Sequence, residues 1–244
     1  MNLYVNGCSF TYGHSRVYND ISIKSNRPTW TWNDHLKNHF AGLFVNEAWI
    51  GGSNQRILRR TLEFFSGVDN KSEWTAVIQL TDPLSRFEFY EPTNDIHVSM
   101  LRDEHVLDDQ YYNNPRVNFN SLNDISKRYF SHRSLLYSET DLINDYFRTI
   151  ITLHAYLKKH KINHLFTFMS GQCLPNFIVN NDSASSTVEL FNTLPHEVFT
   201  DTAMSRMILQ EDFENPPVDL HPNKTGHLKI YQYILNELQK RNYL

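Results

Sequence analysis

Short apolar runs alternate along this chain with longer stretches in which apolar residues recur every three or four positions. Met1 to Val5 is one such run, and it stops at Gly7. Thr31 to Phe40 follows at helical spacing, with Trp32, Leu36 and Phe40 on one face and Thr31 as a candidate N-cap. Leu43 to Val45 is a second short run. Asn54 to Phe65 reads as a helix with Ile57, Leu58, Leu62 and Phe65 on one side. Arg56, Arg59 and Arg60 lie largely on the other side, which reads as a solvated face. Trp74 to Leu80 predicts a third strand, buried on both faces. Asp141 to His160 carries the broadest apolar stripe of the chain and predicts its clearest helix. Ile162 to Met169 predicts a fourth strand, broken by Gly171, and Asn180 to Ser186 reads as a polar loop. A last helix runs from Lys224 to about Lys240, with Leu228, Ile230, Tyr231, Ile234 and Leu238 as its apolar positions.

Strands that alternate with helices predict a parallel sheet with helices on both faces. In such a sheet the reactive groups gather at the carboxyl ends of the strands. Ser9 follows the first strand, Gly51 the second and Thr81 the third, so all three are expected on one edge. Residues 1–244 read as one domain. Phe87 to about Ser134 has no sustained period and is rich in Asn, Asp, Tyr and Arg, so it reads as an insertion over a site.

Composition narrows the classes. Hydrophobic residues are 40% and charged residues 20%, an ordinary globular balance that argues against disorder. The aromatic share of 14% suits a core built on Phe and Tyr, or a surface that faces carbohydrate or peptide. A net charge of -4 with no basic stripe argues against nucleic acid as a partner. Cys8 and Cys173 are too few for a disulfide framework or a zinc site, and both read as reduced thiols. No signal peptide and no membrane-spanning run is visible. The expectation is a soluble, cytoplasmic protein, a reading that a viral origin would also fit.

The candidate chemistry lies at the two ends. Ser9 sits on a turn between Gly7 and Gly13, where glycine leaves room for the side chain and a ligand. Cys8 is the rival nucleophile, but neighbours on an extended segment point opposite ways, and Cys8 reads as packed. His221 precedes Pro222, which confines it to extended conformations before the last helix. Asp219 could accept from the second ring nitrogen and fix the tautomer. The bland alternatives are a capping serine, a helix-entry histidine and a loop carboxylate. His227 reads as a surface residue, and a His221/His227 metal pair lacks a third ligand, so no metal is expected. Oxyanion donors would be the backbone N–H groups of Ser9 and Gly51, with the Thr81 hydroxyl or the Asn54 amide as a third. Gly51-Gly52 as an ordinary turn and Asn54 as a helix cap are the alternatives there.

These residues resemble the S-G-N-H hydrolase superfamily, also called G-D-S-L lipases and esterases. Gly7-Cys8-Ser9-Phe10-Thr11-Tyr12-Gly13 is similar to its first block, with Cys8 in place of the aspartate. Asn46 and Gly51 fit the second block, and Trp32 to Phe40 looks like the family's first helix. Asp219, His221, Pro222, Asn223, Gly226 and His227 fit the last block, with the acid two residues before the histidine instead of the usual three. Gln79-Leu80-Thr81-Asp82 stands at the third block, G-x-N-D, and puts Thr81 where the oxyanion asparagine belongs. Losing that amide would cost about 2–4 kcal/mol of transition-state stabilisation. The resemblance implies a three-layer α/β/α domain with a flavodoxin-like sheet.

The leading expectation is a serine esterase that needs no cofactor and acts on an ester such as an O-acetylated carbohydrate. Ser9 would attack, His221 would carry the proton and Asp219 would orient it, with activity falling at acid pH as the imidazole protonates. A binding protein for glycan, or for a phage or host component, with a degraded site of the same kind is the second reading. A nuclease or phosphate-handling enzyme is the third, set against the acidic balance and the lack of a carboxylate cluster.

Overall fold

The computed structural model describes residues 1–13, 29–83, 86–91, 96–101, 138–171, 186–215 and 219–244. Four strands, β1 (Asn2–Asn6), β2 (Phe44–Asn46), β3 (Trp74–Leu80) and β6 (Asn163–Phe168), form one sheet in the order β2-β1-β3-β6. All of its pairings are parallel. The helices are α1 (Ser9–Tyr12), α2 (Trp32–Leu36), α3 (Asn54–Ser66), α4 (Glu139–Lys159), α5 (Ser186–Phe191) and α6 (Lys224–Lys240). Two antiparallel pairs stand apart from the sheet: β4 (Arg86–Glu91) with β5 (Ile96–Leu101), and β7 (Phe213–Asn215) with β8 (Asp219–Pro222).

Alternation along the strands divides the core in two. Tyr4, Ala76, Ile78, Leu80, Phe166 and Phe168 face a layer made by α3, α4 and α5. Leu3, Val5, Val77 and Leu165 face the opposite layer, made by α2 and α6. Every residue of β3 is buried, as its mostly apolar run suits a strand covered on both faces. The result is the three-layer α/β/α arrangement, with the flavodoxin-like strand order.

Most predicted elements form within a residue or two of their expected bounds. Thr31 is the N-cap of α2 and makes a capping box with Asp34. That helix is shorter than its periodicity suggests, and its last turn, Lys37–His39, tightens to 3-10 geometry. The face of α3 read as solvated is partly covered. Arg56 is buried, its guanidinium donating to Glu47 O at 2.9 Å and lying 5.7 Å from the centroid of the Trp49 ring. Arg60 reaches Glu47 Oε2 with two nitrogens, at 2.7 and 3.0 Å. The insertion at 87–134 opens with the β4–β5 pair, and residues 102–134 lie outside the described residues, as does Cys173. Of the expected loop 180–186, only Ser186 is described, and it begins α5. Among the described residues no helix is long and apolar enough to cross a membrane.

A buried histidine pair joins α4 to the start of β6. His164 Nδ1 lies 2.9 Å from Ile162 O, so this nitrogen carries the proton and donates it. His164 Nε2 is then an acceptor for His154 Nδ1–H, also at 2.9 Å. A second proton on His164 would face the donor of His154. Burial, above all, pushes the His164 imidazole down to about 4, and burial also lowers His154. The unfolded chain protonates such a group near pH 6.5 and the folded chain only near 4, so stability is lost as pH falls through that window. For His164 the loss should reach on the order of 3 kcal/mol by about pH 4. Urea midpoints measured between neutral pH and the acid end of that window will show the decline. His164→Phe will flatten it whatever it does to stability at neutral pH.

Candidate active site

The parallel sheet delivers the ends of β1, β2 and β3 to one edge. Ser9 opens α1 three residues after β1, Gly51 lies on the turn after β2, and Thr81 is the first residue beyond β3. Two backbone approaches bring these segments together. A Cβ on Gly7 would stand 2.7 Å from Thr11 Oγ1 and 2.8 Å from Gln79 Cβ. A Cβ on Gly52 would stand 2.9 Å from Gly7 O and 3.7 Å from Cys8 Cα. The glycine-rich turn after β2 therefore packs directly on the turn that carries Ser9. Trp49 N–H donates to Gly7 O at 3.1 Å and ties the same two turns.

Ser9 is buried, and its hydroxyl hydrogen-bonds to Cys8 Sγ at 3.9 Å. Among the described residues no hydrogen bond joins Ser9 to His221. Its backbone N–H is the first of α1, a position with no intrahelical acceptor. Cys8 is packed, as expected, and is wholly buried. Its sulfur accepts from Gln79 Nε2 at 3.0 Å and lies 3.5 Å from Met169 Sδ.

Thr81 and Asn54 form a two-way clamp. Asn54 Oδ1 accepts from Thr81 N–H at 2.9 Å, and Asn54 Nδ2 donates to Thr81 O at 2.8 Å. The Asn54 amide thus fixes the end of β3 to the first residue of α3. The cap of that helix is Ser53, whose hydroxyl accepts from Arg56 N–H. The Thr81 hydroxyl points to a weak acceptor, Met169 Sδ at 3.7 Å.

The C-terminal segment arrives from the other side. His221 is half-buried in β8, and its ring lies 5.7 Å from that of Phe10, the residue after Ser9. Asp219 begins β8, opposite Asn215, and its side chain lies outside the described residues. The rest of the block is structural. Asn223 caps α6 by accepting from Gly226 N–H at 3.0 Å, and its amide donates to Glu211 O at 2.9 Å. His227 is buried, against the expectation of a surface position. Its Nδ1 accepts from Trp32 N–H at 3.3 Å and so satisfies an orphan donor of α2. Among the described residues no group of three or more His, Cys, Asp or Glu could hold a metal ion.

Three contributors escaped the sequence reading. Gln79 is an amide inside the mostly apolar stretch of β3, and that contrast was the signal: a buried amide must find partners. Asn6 ends β1, with Oδ1 accepting from Gly7 N–H at 2.8 Å and Nδ2 donating to Ile57 O at 3.1 Å. Asn33 donates to Thr11 O and accepts from Asn46 Nδ2, joining α1, α2 and the end of β2.

The sequence model of one protein family, described as "Family of unknown function (DUF6071)", matches residues 14–189. No curated protein matches the sequence. Among solved structures, the chain is similar to a lipolytic protein of the G-D-S-L family from Veillonella parvula DSM 2008. That match has 13% identity, covers 97% of each chain and has a TM-score of 0.46. The protein named TesA is similar at 11% identity, with 98% and 99% of the two chains covered and a TM-score of 0.49. A carbohydrate esterase, whose active site is described as displaying divergent catalytic and non-catalytic binding functions, reaches a TM-score of 0.50 at 12% identity. The match covers 98% of this chain and 68% of that one. At such identities the likeness is one of fold alone.

The contact between the first two turns yields a stability prediction. Gly52→Ala places its methyl against two backbone carbonyls, Gly7 O at 2.9 Å and Trp49 O at 3.1 Å. It should cost about 1–3 kcal/mol in a denaturant titration. Gly67→Ala, whose Cβ meets only Phe64 O at 3.7 Å, should cost far less.

Proposed function

The chain belongs to the family of unknown function DUF6071, and from the geometry of its sheet edge we propose that it is a serine ester hydrolase. The observation that carries this reading is the meeting of the chain's two ends, with the Phe10 ring against His221 and Ser9 next in the chain. Nucleophile and base are recognised by such convergence, not by their order in sequence. An O-acetylated carbohydrate is the substrate class we favour.

In this mechanism Ser9 Oγ attacks the ester carbonyl carbon while His221 takes the hydroxyl proton. The tetrahedral oxyanion is received by the N–H groups of Ser9 and Gly51 and by the Thr81 hydroxyl, whose backbone Asn54 holds in register. Collapse expels the alcohol, which leaves with the proton from His221. Water activated by His221 then releases the acid from the acyl-serine. Asp219 stands two residues before His221 in β8, the spacing at which strand residues share a face, and is assigned the orienting role. Engagement needs the Ser9 hydroxyl to leave Cys8 Sγ, a rotation about one torsion away from a weak acceptor. Hydrogen bonds between nucleophile and base often tighten only when substrate binds.

A second reading is a binding protein on the same scaffold. The hydrogen bond from Ser9 to Cys8 Sγ and the threonine at position 81 favour it. A fluorophosphonate probe separates the two. The hydrolase reading expects labelling at Ser9, and hydrolysis of p-nitrophenyl acetate that drops roughly 10⁴-fold or more in Ser9→Ala. Well-folded protein that takes no label and turns over no ester would leave the binding reading in place.

A further inference from the structure

Gln79 is the one polar side chain of β3 whose groups all turn toward the Ser9 turn. Its Oε1 accepts from Thr11 Oγ1–H at 2.6 Å and from Cys8 N–H at 3.4 Å. Its Nε2 donates to Cys8 Sγ at 3.0 Å. One carboxamide thereby touches the residue before Ser9 through both backbone and side chain, and the residue two after it. Gln79 is itself fully buried. Gly7 lets it come this close, because a Cβ there would overlap Gln79 Oε1 at 2.8 Å.

Resting on the reading of Ser9 as nucleophile, we propose that Gln79 is a positioning residue that sets the direction of the Ser9 hydroxyl by clamping Cys8 and Thr11. α1 is only four residues long, and its N-cap residue, Cys8, supplies no side-chain cap. Such a turn does not hold itself, since nucleating a single helical turn is unfavourable. Its rigidity has to come from a tertiary partner. β3 is paired on both sides, with β1 and β6, and is the firmest support available at that edge.

The two positions also depart together from the block pattern that the chain resembles. Position 8 holds Cys where the pattern has Asp, and position 79 holds Gln where it has Gly. Cys8 Sγ and Gln79 Nε2 are in direct contact, so the departures form one unit. Gln79 fills space that a glycine would leave open, and Cys8 gives its N–H a soft, uncharged acceptor. The thiol also receives the Ser9 hydroxyl, so a shift of Cys8 re-aims Ser9.

Gln79→Met is the test, because it keeps the length of the side chain and removes the amide. Two measurements are made on the full chain. The first is the rate at which iodoacetamide modifies Cys8, located by mass spectrometry, which needs no activity. The variant should react about tenfold faster than the unchanged protein as the turn loosens. The second is the rate of fluorophosphonate labelling at Ser9, with kcat and KM for p-nitrophenyl acetate. Labelling and kcat should fall together about tenfold to a hundredfold with KM nearly unchanged, as misplacement of a reacting atom predicts. Equal protection of Cys8 in both proteins would overturn the clamp. A more reactive Cys8 with kcat and labelling unchanged would overturn the positioning role. If the unchanged protein takes no label, the hydrolase reading and the role built on it fail together, and Cys8 reactivity still decides the clamp. Should Gln79→Met not fold, Thr11→Val deletes the 2.6 Å bond at nearly constant volume and is read in the same way.

Discussion

The geometry of the candidate site rests on one close approach, the passage of the backbone at Gly7 beneath the side chain of Gln79. Any Cβ at position 7 would collide with Gln79 and with Thr11. Because none is present, β1 can leave the sheet and turn into α1 while still touching β3. The turn after β2 then closes over the same carbonyl, with Gly52 above Gly7 O and the Trp49 N–H bonded to it. Three strand ends are thereby drawn to a common point by backbone contact, before any catalytic side chain is considered. The partners of the polar residues around it follow from this packing, because each buried amide there has to be satisfied. Asn6 ties the end of β1 to α3, Asn54 ties the end of β3 to the same helix, and Asn33 ties α1 to α2.

The C-terminal block divides its labour in a comparable way. Most of its residues serve the fold. Asn223 caps α6, and the preceding loop is held by Asp212, whose buried carboxylate accepts from Leu209 N–H at 2.7 Å and pairs with Lys229 at 2.6 Å. Those contacts hold the Asp212 carboxyl below the usual carboxylate range even though burial opposes them. His227 goes to the end of another helix. Among the described side chains, His221 stands at the boundary between ribbon and helix with its ring beside that of Phe10 in α1. A motif of this kind owes its shape mainly to the architecture that presents one imidazole.

The layered architecture was legible in the sequence because it rests on periodicity. The runs of β1, β3 and β6 and the stripe of α4 are dictated by burial on known faces, and the elements fall where those patterns put them. Convergence of Ser9, Gly51 and Thr81 followed from parallel topology alone. What escaped depends on partners far away in sequence. Arg56 reads as a surface cation until Glu47 O and the Trp49 ring are found beside it. His227 reads as an exposed first-turn residue until α2 arrives with its Trp32 N–H. The Asn54 amide reads equally well as an oxyanion donor or a cap, and the structure commits it to the backbone of Thr81. Periodicity tells which way a side chain points, but not which polar group it will meet.

The ribbon of β7 and β8 carries His221 outside the central sheet, with a pairing register of its own and an irregularity between Phe213 and Asn215. Successive residues on such a strand alternate faces, so a slip by a single position would present Leu220 or Pro222 in place of the imidazole. Within Asp219–Pro222 a change of length is admissible only in steps of two. The imidazole is thus indexed by parity, a discrete setting that the four-stranded sheet neither imposes nor corrects.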